Sequence, residues 1–339
     1  MIARVSRYCG ELGYAYNNIA RRVCTTKTEP IINIGKRLYS AHHAPPTSRS
    51  TRPQVTIPEL NRLRKNDIPI SMITAHDYVS GLMADQAGVD MILVGDSLAM
   101  VALGYANTNE IEFDEMIYHA KAVSRGVKSA FIIADLPFGT YEISPEQAVE
   151  SAIQMIRRGK SQAIKIEGGQ ELVPTIKKLT SFGIPVMGHI GLTPQRQSSF
   201  GGFKVQGKTA KSAESILDDA LALQEAGCFA ILLEAVPDKV GQIITDVLDV
   251  PVIGIGAGPY TSGQVSVQLD MLGGFGTFSP KFLKKYSNYL EDNITAIKRY
   301  SEEVKDRSFP AKEHCYSIKA EELDKFKNVV DIKLKAQEL

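Results

Sequence analysis

Apolar residues recur along this chain in short runs of four to six, and five of the runs stop at a polar or charged side chain. Met91–Val94 leads into Gly95-Asp96-Ser97, and 131–134 leads into Asp135. The run 163–166 carries Lys165 and stops at Glu167, 185–188 ends at His189, and 229–233 ends at Glu234. Amphipathic stretches of helical period separate them, the alternation of a parallel sheet with crossover helices. The pattern predicts strands at about 69–74, 91–95, 130–134, 163–166, 185–189, 229–233, 252–255 and 269–272. The expected fold is α/β, a (β/α)8 TIM barrel with an N-terminal capping helix and a C-terminal helical extension. All strand C-termini of such a barrel open on one face, so the polar run-ends converge on a single mouth.

The intervening stretches carry helix signals. Pro58 to Lys65, with Leu60 and Leu63, reads as a short helix across the barrel bottom. Ser144-Pro145-Glu146-Gln147 supplies an N-cap, a proline at the first helical position and early acid, and the helix is expected to run to Arg157-Arg158-Gly159. The stretch 212–227 repeats the scheme and stops at Gly227. Two long loops, 96–113 and 190–210, fall on the mouth side, where long loops are usually functional. Phe200, Phe203 and Val205, interleaved with glycines, argue for a closing lid in the second. Residues 319–337 form a charged amphipathic stretch, expected to be a helix that docks on the body or on a neighbouring subunit.

The chain has 339 residues, and one barrel takes about 250, which leaves extensions at both ends. No apolar run approaches the ~18 residues of a membrane span. Net charge is +1 overall, but residues 1–52 hold nine Lys/Arg against Glu11 and Glu29, a net of +7, so the remainder carries −6. Such a body is not a nucleic-acid binder. The basic, acid-poor start reads as a mitochondrial transit peptide, with Arg37-Leu38-Tyr39-Ser40 as a matrix-protease signal; a disordered basic arm is the alternative. The expected organisation is 1–45 transit peptide and flexible lead, 46–317 catalytic barrel and 318–339 helical tail, located in the mitochondrial matrix. Past the lead only Cys228 and Cys315 remain, without metal-type spacing.

Asp96, Asp135 and Glu167 end strands two, three and four, which are neighbours in a barrel. Three carboxylates brought together repel unless a cation joins them, and all-oxygen ligation suits Mg2+; the plainer reading has them capping helices or pairing with lysines. Lys165 shares a face with Glu167. It is a salt-bridge partner of that acid, a ligand for a substrate carboxylate or enolate, or both, since a lone buried ammonium is costly. His189 polarises a carbonyl, orients a ligand or is a satisfied structural group. Glu234, placed across the mouth from the acids, stands where a general base would, or caps the next helix.

Several segments resemble one family. Val94-Gly-Asp96-Ser97-Leu98, Ala134-Asp135-Leu-Pro137-Phe138, Ile164-Lys165-Ile-Glu167-Gly168-Gly169 and Gly188-His189-Ile-Gly-Leu-Thr-Pro194-Gln195 are similar to the motif series of ketopantoate hydroxymethyltransferases. Gly201-Gly202-Phe-Lys204-Val-Gln206-Gly207, Leu233-Glu234-Ala-Val-Pro237, Pro251-Val-Ile-Gly254-Ile-Gly-Ala-Gly258 and Pro280-Lys281-Phe282 continue it in order. The match spans about residues 57–315, while His76 departs from a usual tyrosine and the tail beyond Ser317 has no counterpart in short bacterial forms. The resemblance implies a barrel that transfers a hydroxymethyl group from 5,10-methylenetetrahydrofolate, its co-substrate, to the 2-oxo acid 3-methyl-2-oxobutanoate in pantothenate biosynthesis, with Mg2+ as cofactor. It implies Asp96, Asp135 and Glu167 near the metal, Asp96, Ser97, Asp135 and Lys165 at the substrate, and Glu234 as proton acceptor. His189 is counted with the substrate-binding set, and a homo-oligomer is expected. Two rivals stand: a Mg2+-dependent lyase or mutase of the phosphoenolpyruvate mutase/isocitrate lyase type, and a catalytically silent binding barrel. The first calls for a reactive cysteine or a phosphonate site, yet the only cysteine near a strand is Cys228, which precedes strand six. The second would have lost its acids.

Overall fold

Eight parallel strands close into a barrel in sequence order: β1 (Ile70–Thr74), β2 (Met91–Val94), β3 (Phe131–Asp135), β4 (Ala163–Glu167), β5 (Val186–Gly191), β6 (Ala230–Glu234), β7 (Val252–Ile255) and β8 (Gly263–Ser266). The computed structural model describes residues 52–202, 204–274 and 280–337. The lead 1–45, with its basic signal at 37–40, lies outside them, as does Phe203 of the expected lid. Helices α1 (Ile57–Lys65), α2 (Tyr78–Gln86), α3 (Phe113–Gly126), α4 (Pro145–Gln154), α5 (Val173–Ser181), α6 (Ala210–Glu225) and α7 (Asp238–Val247) precede or link the strands.

Strands covered on both faces read as continuous apolar runs, which is why the sequence shows runs here rather than alternation. Outward residues such as Ile92, Val94, Ile132, Ile164, Ile166, Ile231 and Leu233 pack under the helices in one cluster. Inward residues Met72, Met91, Leu93, Phe131, Ile133, Met187, Leu232 and Ile253 form a second cluster that fills the barrel. Leu60 and Leu63 of α1 join that inner cluster, so α1 plugs the barrel bottom as expected. The period of two along each strand then carries the inward face from apolar to polar at the top. Phe131 and Ile133 are followed by Asp135, Ala163 by Lys165 and Glu167, Met187 by His189, and Leu232 by Glu234.

Helix starts follow their caps. Ser144 accepts from the Gln147 N–H at 3.2 Å ahead of Pro145, and α4 ends in a wider π turn, Met155–Gly159. Helix α6 begins earlier than its apolar pattern indicates, because Thr209 and Ser212 form a reciprocal capping box. The two mouth loops hold short helical turns, Leu98–Val101 and Thr108–Glu110 in the first, Pro194–Arg196 and Gln197–Phe200 in the second.

The eighth strand corrects the expectation of 269–272. Those residues belong to a helical turn, Gln268–Met271, and the strand is Gly263–Ser266. Its sequence, Gly-Gln-Val-Ser, is no apolar run. Gly263 pairs with Ile70 to close the barrel, and a Cβ there would stand 2.3 Å from the Ile70 carbonyl oxygen. Its neighbour Gln264 points outward and is exposed, as is Ser71 on β1, whereas outward residues of β2 to β6 are buried. Among the described residues no helix covers this side. Helix α8 (Tyr289–Asp306) follows β8 in sequence and buries none of its residues, and neither does α9 (Ala320–Gln337). Helices α7 and α2, which flank the bare β8–β1 face in the barrel order, leave Ile243, Val247, Val79 and Met83 exposed.

Candidate active site

The polar tops of β2 to β6 and the loops after them enclose a cavity of about 490 Å³. Its wall is mostly apolar, with Leu93, Met100, Leu192, Leu232, Ile255 and Phe282 among the lining residues, and Asp96, Ser97, Asp135, Lys165, Glu167, His189 and Glu234 all reach it. Every site residue expected from the sequence is thus brought to one place. Asp270 also lines the cavity, and burial pushes its carboxyl above the usual range.

Lys165 is the centre of the cluster. Its Nζ lies 3.1 Å from Asp135 Oδ1, 3.5 Å from Glu167 Oε1 and 3.2 Å from His189 Nδ1, and only 3% of the residue is exposed. The barrel register sets these contacts, with Asp135 opposite Lys165 and Glu167 opposite His189. Burial alone would discharge the ammonium; Asp135, Glu167 and Asp96 outweigh that and hold its pKa above the ordinary lysine value. Burial likewise works against the Glu167 carboxylate, yet His189 and Lys165 bring its pKa down to about 2. For His189 burial and the Lys165 charge favour the neutral ring, but Glu167 and Glu234 prevail and raise it to about 9, so the imidazole is charged at neutral pH.

Asp96 differs. Burial, then the charges of Asp135 and Glu167, raise its pKa well above the carboxylate range, and among the described residues no cation forms an ion pair with it. Its backbone N–H donates to Asp135 Oδ2 at 3.0 Å. Asp135 is raised too, because burial exceeds the lowering by Lys165, and its Oδ1 is buried without an aligned hydrogen-bond donor. Two adjoining acids with raised pKa values, one with an oxygen engaged only by the Lys165 ion pair, fit a hard cation that keeps water or substrate in its remaining positions. Among the described residues no three Asp, Glu, His or Cys side chains are grouped so that they could hold a metal ion among them, so the protein would supply two carboxylates at most. Glu167 has both oxygens engaged, Oε1 by Lys165 and His189 and Oε2 by the Gln195 N–H at 3.0 Å.

Glu234 sits beyond His189. Its Oε2 is 3.3 Å from His189 Nε2, within ion-pair range but without hydrogen-bond alignment. The sequence placed it across the mouth, and the imidazole is what spans the gap. Its side chain is 16% exposed, against 1% for Glu167 and 2% for Asp135, so it is more open than either of those acids. Ser97 lines the cavity just before the Leu98–Val101 turn and is half-buried.

Two further residues join the network with no role predicted from the sequence. Gln195 donates from Nε2 to Asp96 Oδ2 at 2.8 Å, and Tyr141 donates its hydroxyl proton to Gln195 Oε1. Gln195 stood inside a motif, but its type carried no chemistry. Of the lid, Gln206 donates its N–H to the Ala235 carbonyl at 2.9 Å, so the loop returns past the end of β6, and Val205 is exposed.

Comparison with known proteins agrees with this arrangement. Residues 54–312 match the family model described as ketopantoate hydroxymethyltransferase. A 3-methyl-2-oxobutanoate hydroxymethyltransferase of Emericella nidulans is 54% identical over 282 residues, covering 83% of this chain and 81% of that protein. One of Moorella thermoacetica is 50% identical over 265 residues, covering 78% and 98%. Solved structures sharing the fold include a 2,3-dimethylmalate lyase of the PEP mutase/isocitrate lyase superfamily, at a TM-score of 0.50 and 19% identity over 85% of this chain and all of that one. A phosphonopyruvate hydrolase solved in complex with oxalate and Mg2+ aligns at 0.51 and 15% identity over 84% and 98%. With three quarters of its length inside the family model and half of its matched residues identical to those relatives, the chain belongs to the ketopantoate hydroxymethyltransferase family and is a transferase.

Proposed function

We infer that this enzyme transfers a hydroxymethyl group from 5,10-methylenetetrahydrofolate to 3-methyl-2-oxobutanoate, giving 2-dehydropantoate for pantothenate biosynthesis. The observation that carries the reading is the buried Lys165 cluster at the floor of the cavity, with Glu234 open to it through His189. Transfer onto C3 of a 2-oxo acid requires loss of the C3 proton and a site that favours negative charge on the resulting enolate oxygen. Lys165 and protonated His189 supply fixed positive charge in a water-poor pocket, where it acts strongly. Glu234, 3.3 Å from the His189 ring and open to the cavity, takes the proton. Ser97 and the cavity's apolar wall orient the acid and its methyl groups. Overall the oxo acid loses one proton and gains CH2OH, water supplies the hydroxyl, and the folate leaves as tetrahydrofolate. The loop 190–210 closes over the reacting groups.

Asp96 and Asp135 would hold Mg2+, with Glu167 completing the acidic set. A protein of this fold, phosphonopyruvate hydrolase, is solved in complex with oxalate and Mg2+, in keeping with that reading. When bound, the cation would polarise the keto group and offset the burial that, with neighbouring negative charge, now raises both aspartates.

The enzyme works as a homo-oligomer in which α8 of one copy covers the bare β8–β1 face of another. Leu290, Ile294, Ile297 and Val304 form an exposed stripe on α8 at helical spacing, and among the described residues no helix covers the β8–β1 face, as a closed (β/α)8 wall requires. The basic lead directs the chain to the mitochondrial matrix.

The primary assay is 2-dehydropantoate formation from the two substrates with and without Mg2+. Wild type should be active and Mg2+-dependent, and Asp135→Ala should lose activity by orders of magnitude with little recovery at high Mg2+. Near wild-type turnover of that variant at low Mg2+ would remove the metal from the account. Glu234→Gln keeps the shape but cannot accept a proton, so kcat should fall by roughly 10²-fold or more while the oxo acid still binds. Unimpaired exchange of the C3 proton into heavy water by that variant would show that another group is the base.

Light scattering tests the assembly: Ile297→Asp on the α8 stripe should shift the mass toward the monomer, and an unchanged mass would place the interface elsewhere. In cells, a chain beginning at Ala41 should be active but remain cytosolic, while protein purified from mitochondria should begin near residue 40. An intact Met1 in that protein would assign the basic lead another purpose.

A further inference from the structure

Asp96 is the one acid of the cluster that no ion pair reaches among the described residues, yet it adjoins the reacting centre. Its side chain is held by a neutral group. Gln195, itself 3% exposed, sits in the Pro194–Arg196 turn that begins the loop after β5. Its Nε2 donates to Asp96 Oδ2 at 2.8 Å and to the Leu136 carbonyl at 3.0 Å, bridging the ends of β2 and β3. Its backbone N–H donates to Glu167 Oε2 at 3.0 Å, and its carbonyl accepts from Asn109 Nδ2 at 2.9 Å, on the other mouth loop.

A side-chain amide has a donor end and an acceptor end of nearly the same shape. Turned by half a rotation, Gln195 would point Oε1 at a carboxylate and a carbonyl, three acceptors together. The Asp96 carboxylate and the Leu136 carbonyl therefore select the working orientation, and the Tyr141 hydroxyl completes it by donating to Oε1. Tyr141 is 2% exposed, and burial holds its phenol in the protonated, donating form. The same hydroxyl lies 3.3 Å from the Glu167 backbone nitrogen and 3.4 Å from its carbonyl oxygen, so one phenol steadies the end of β4 as well.

We propose that Gln195, braced by Tyr141, is a positioning residue that sets the Asp96 and Glu167 carboxylates for the reaction and ties the root of the loop after β5 to the reacting centre. The proposal rests on the reading of these acids as that centre. Residues that orient metal-proximal carboxylates in this way typically matter about 10–100-fold in metal affinity or activity.

The test compares Gln195→Met, which keeps length and loses every side-chain hydrogen bond, with Tyr141→Phe and the double variant. Three quantities are read: kcat and KM for the oxo acid, affinity of the metal-free enzyme for Mn2+ alone by electron paramagnetic resonance, and the thermal midpoint. Gln195→Met should lose about 10–100-fold in kcat and about tenfold or more in Mn2+ affinity. Tyr141→Phe should move both the same way by less, and the double variant should match Gln195→Met, because Tyr141 acts through Gln195. Wild-type kcat and Mn2+ affinity in Gln195→Met, or a drop in thermal midpoint alone, would overturn the proposal, as would losses that multiply in the double variant. If Gln195→Met fails to fold, Tyr141→Phe decides: weaker Mn2+ binding at an unchanged midpoint supports the proposal, and unchanged binding overturns it. A wild-type enzyme that makes no 2-dehydropantoate, with Mn2+ binding still weakened in Gln195→Met, would sustain the positioning role and overturn the assigned reaction.

Discussion

A buried ammonium has to be compensated, and in this barrel the compensation is the site. Lys165 lies within 3.1–3.5 Å of two carboxylates and an imidazole at 3% exposure, and no group in the set has its ordinary acidity. Taking several charges out of water is expensive, and only close, well-placed partners offset it. The register of β3, β4 and β5 provides that placement, because directly opposed residues on parallel strands meet across the inner face. Loops then need only close over a charge pattern already built on rigid elements, as accurate sites require.

The cluster divides its acids by environment. Glu167 is locked as a carboxylate by its two cationic neighbours, whereas Asp96 and Asp135 are pressed toward protonation by burial first and then by the Glu167 charge, with the Asp135 charge adding to it at Asp96. Groups driven apart in this way mark distinct duties. The first is a fixed counter-charge, and the second pair is where a cation would gain most. Glu234 is more exposed than these acids, and among the described residues its ion pair is with His189. The fold neighbours share the barrel with sequence identity below 20%, so chemistry is argued from this chain's own side chains.

Much of this was legible in the sequence because a parallel strand buried on both faces leaves an apolar run, and the run's last residue is where the barrel opens. That physics exposed Asp96, Asp135, Glu167, His189 and Glu234 without any structure. It failed at β8, whose bare outer face tolerates Gln264 and whose closure against Ile70 demands Gly263, so no run forms. It failed also for Gln195 and Tyr141, which matter through a hydrogen bond between loops 54 residues apart. Neither residue type announces such a role, since both are common in satisfied cores. The start of α6 was read late because a Thr–Ser capping box, rather than apolar period, sets it.

The central claim is that the Lys165 charge and its acids form one balanced unit. Thermal unfolding of Lys165→Met beside the double variant Lys165→Met/Asp135→Asn tests it most directly. Removing the ammonium alone leaves carboxylates buried without their cation, a loss on the order of 3–5 kcal/mol. The account therefore predicts a large fall in the midpoint for the single variant and recovery of most of it in the double. A single variant as stable as wild type, or a double variant less stable than the single, would contradict it.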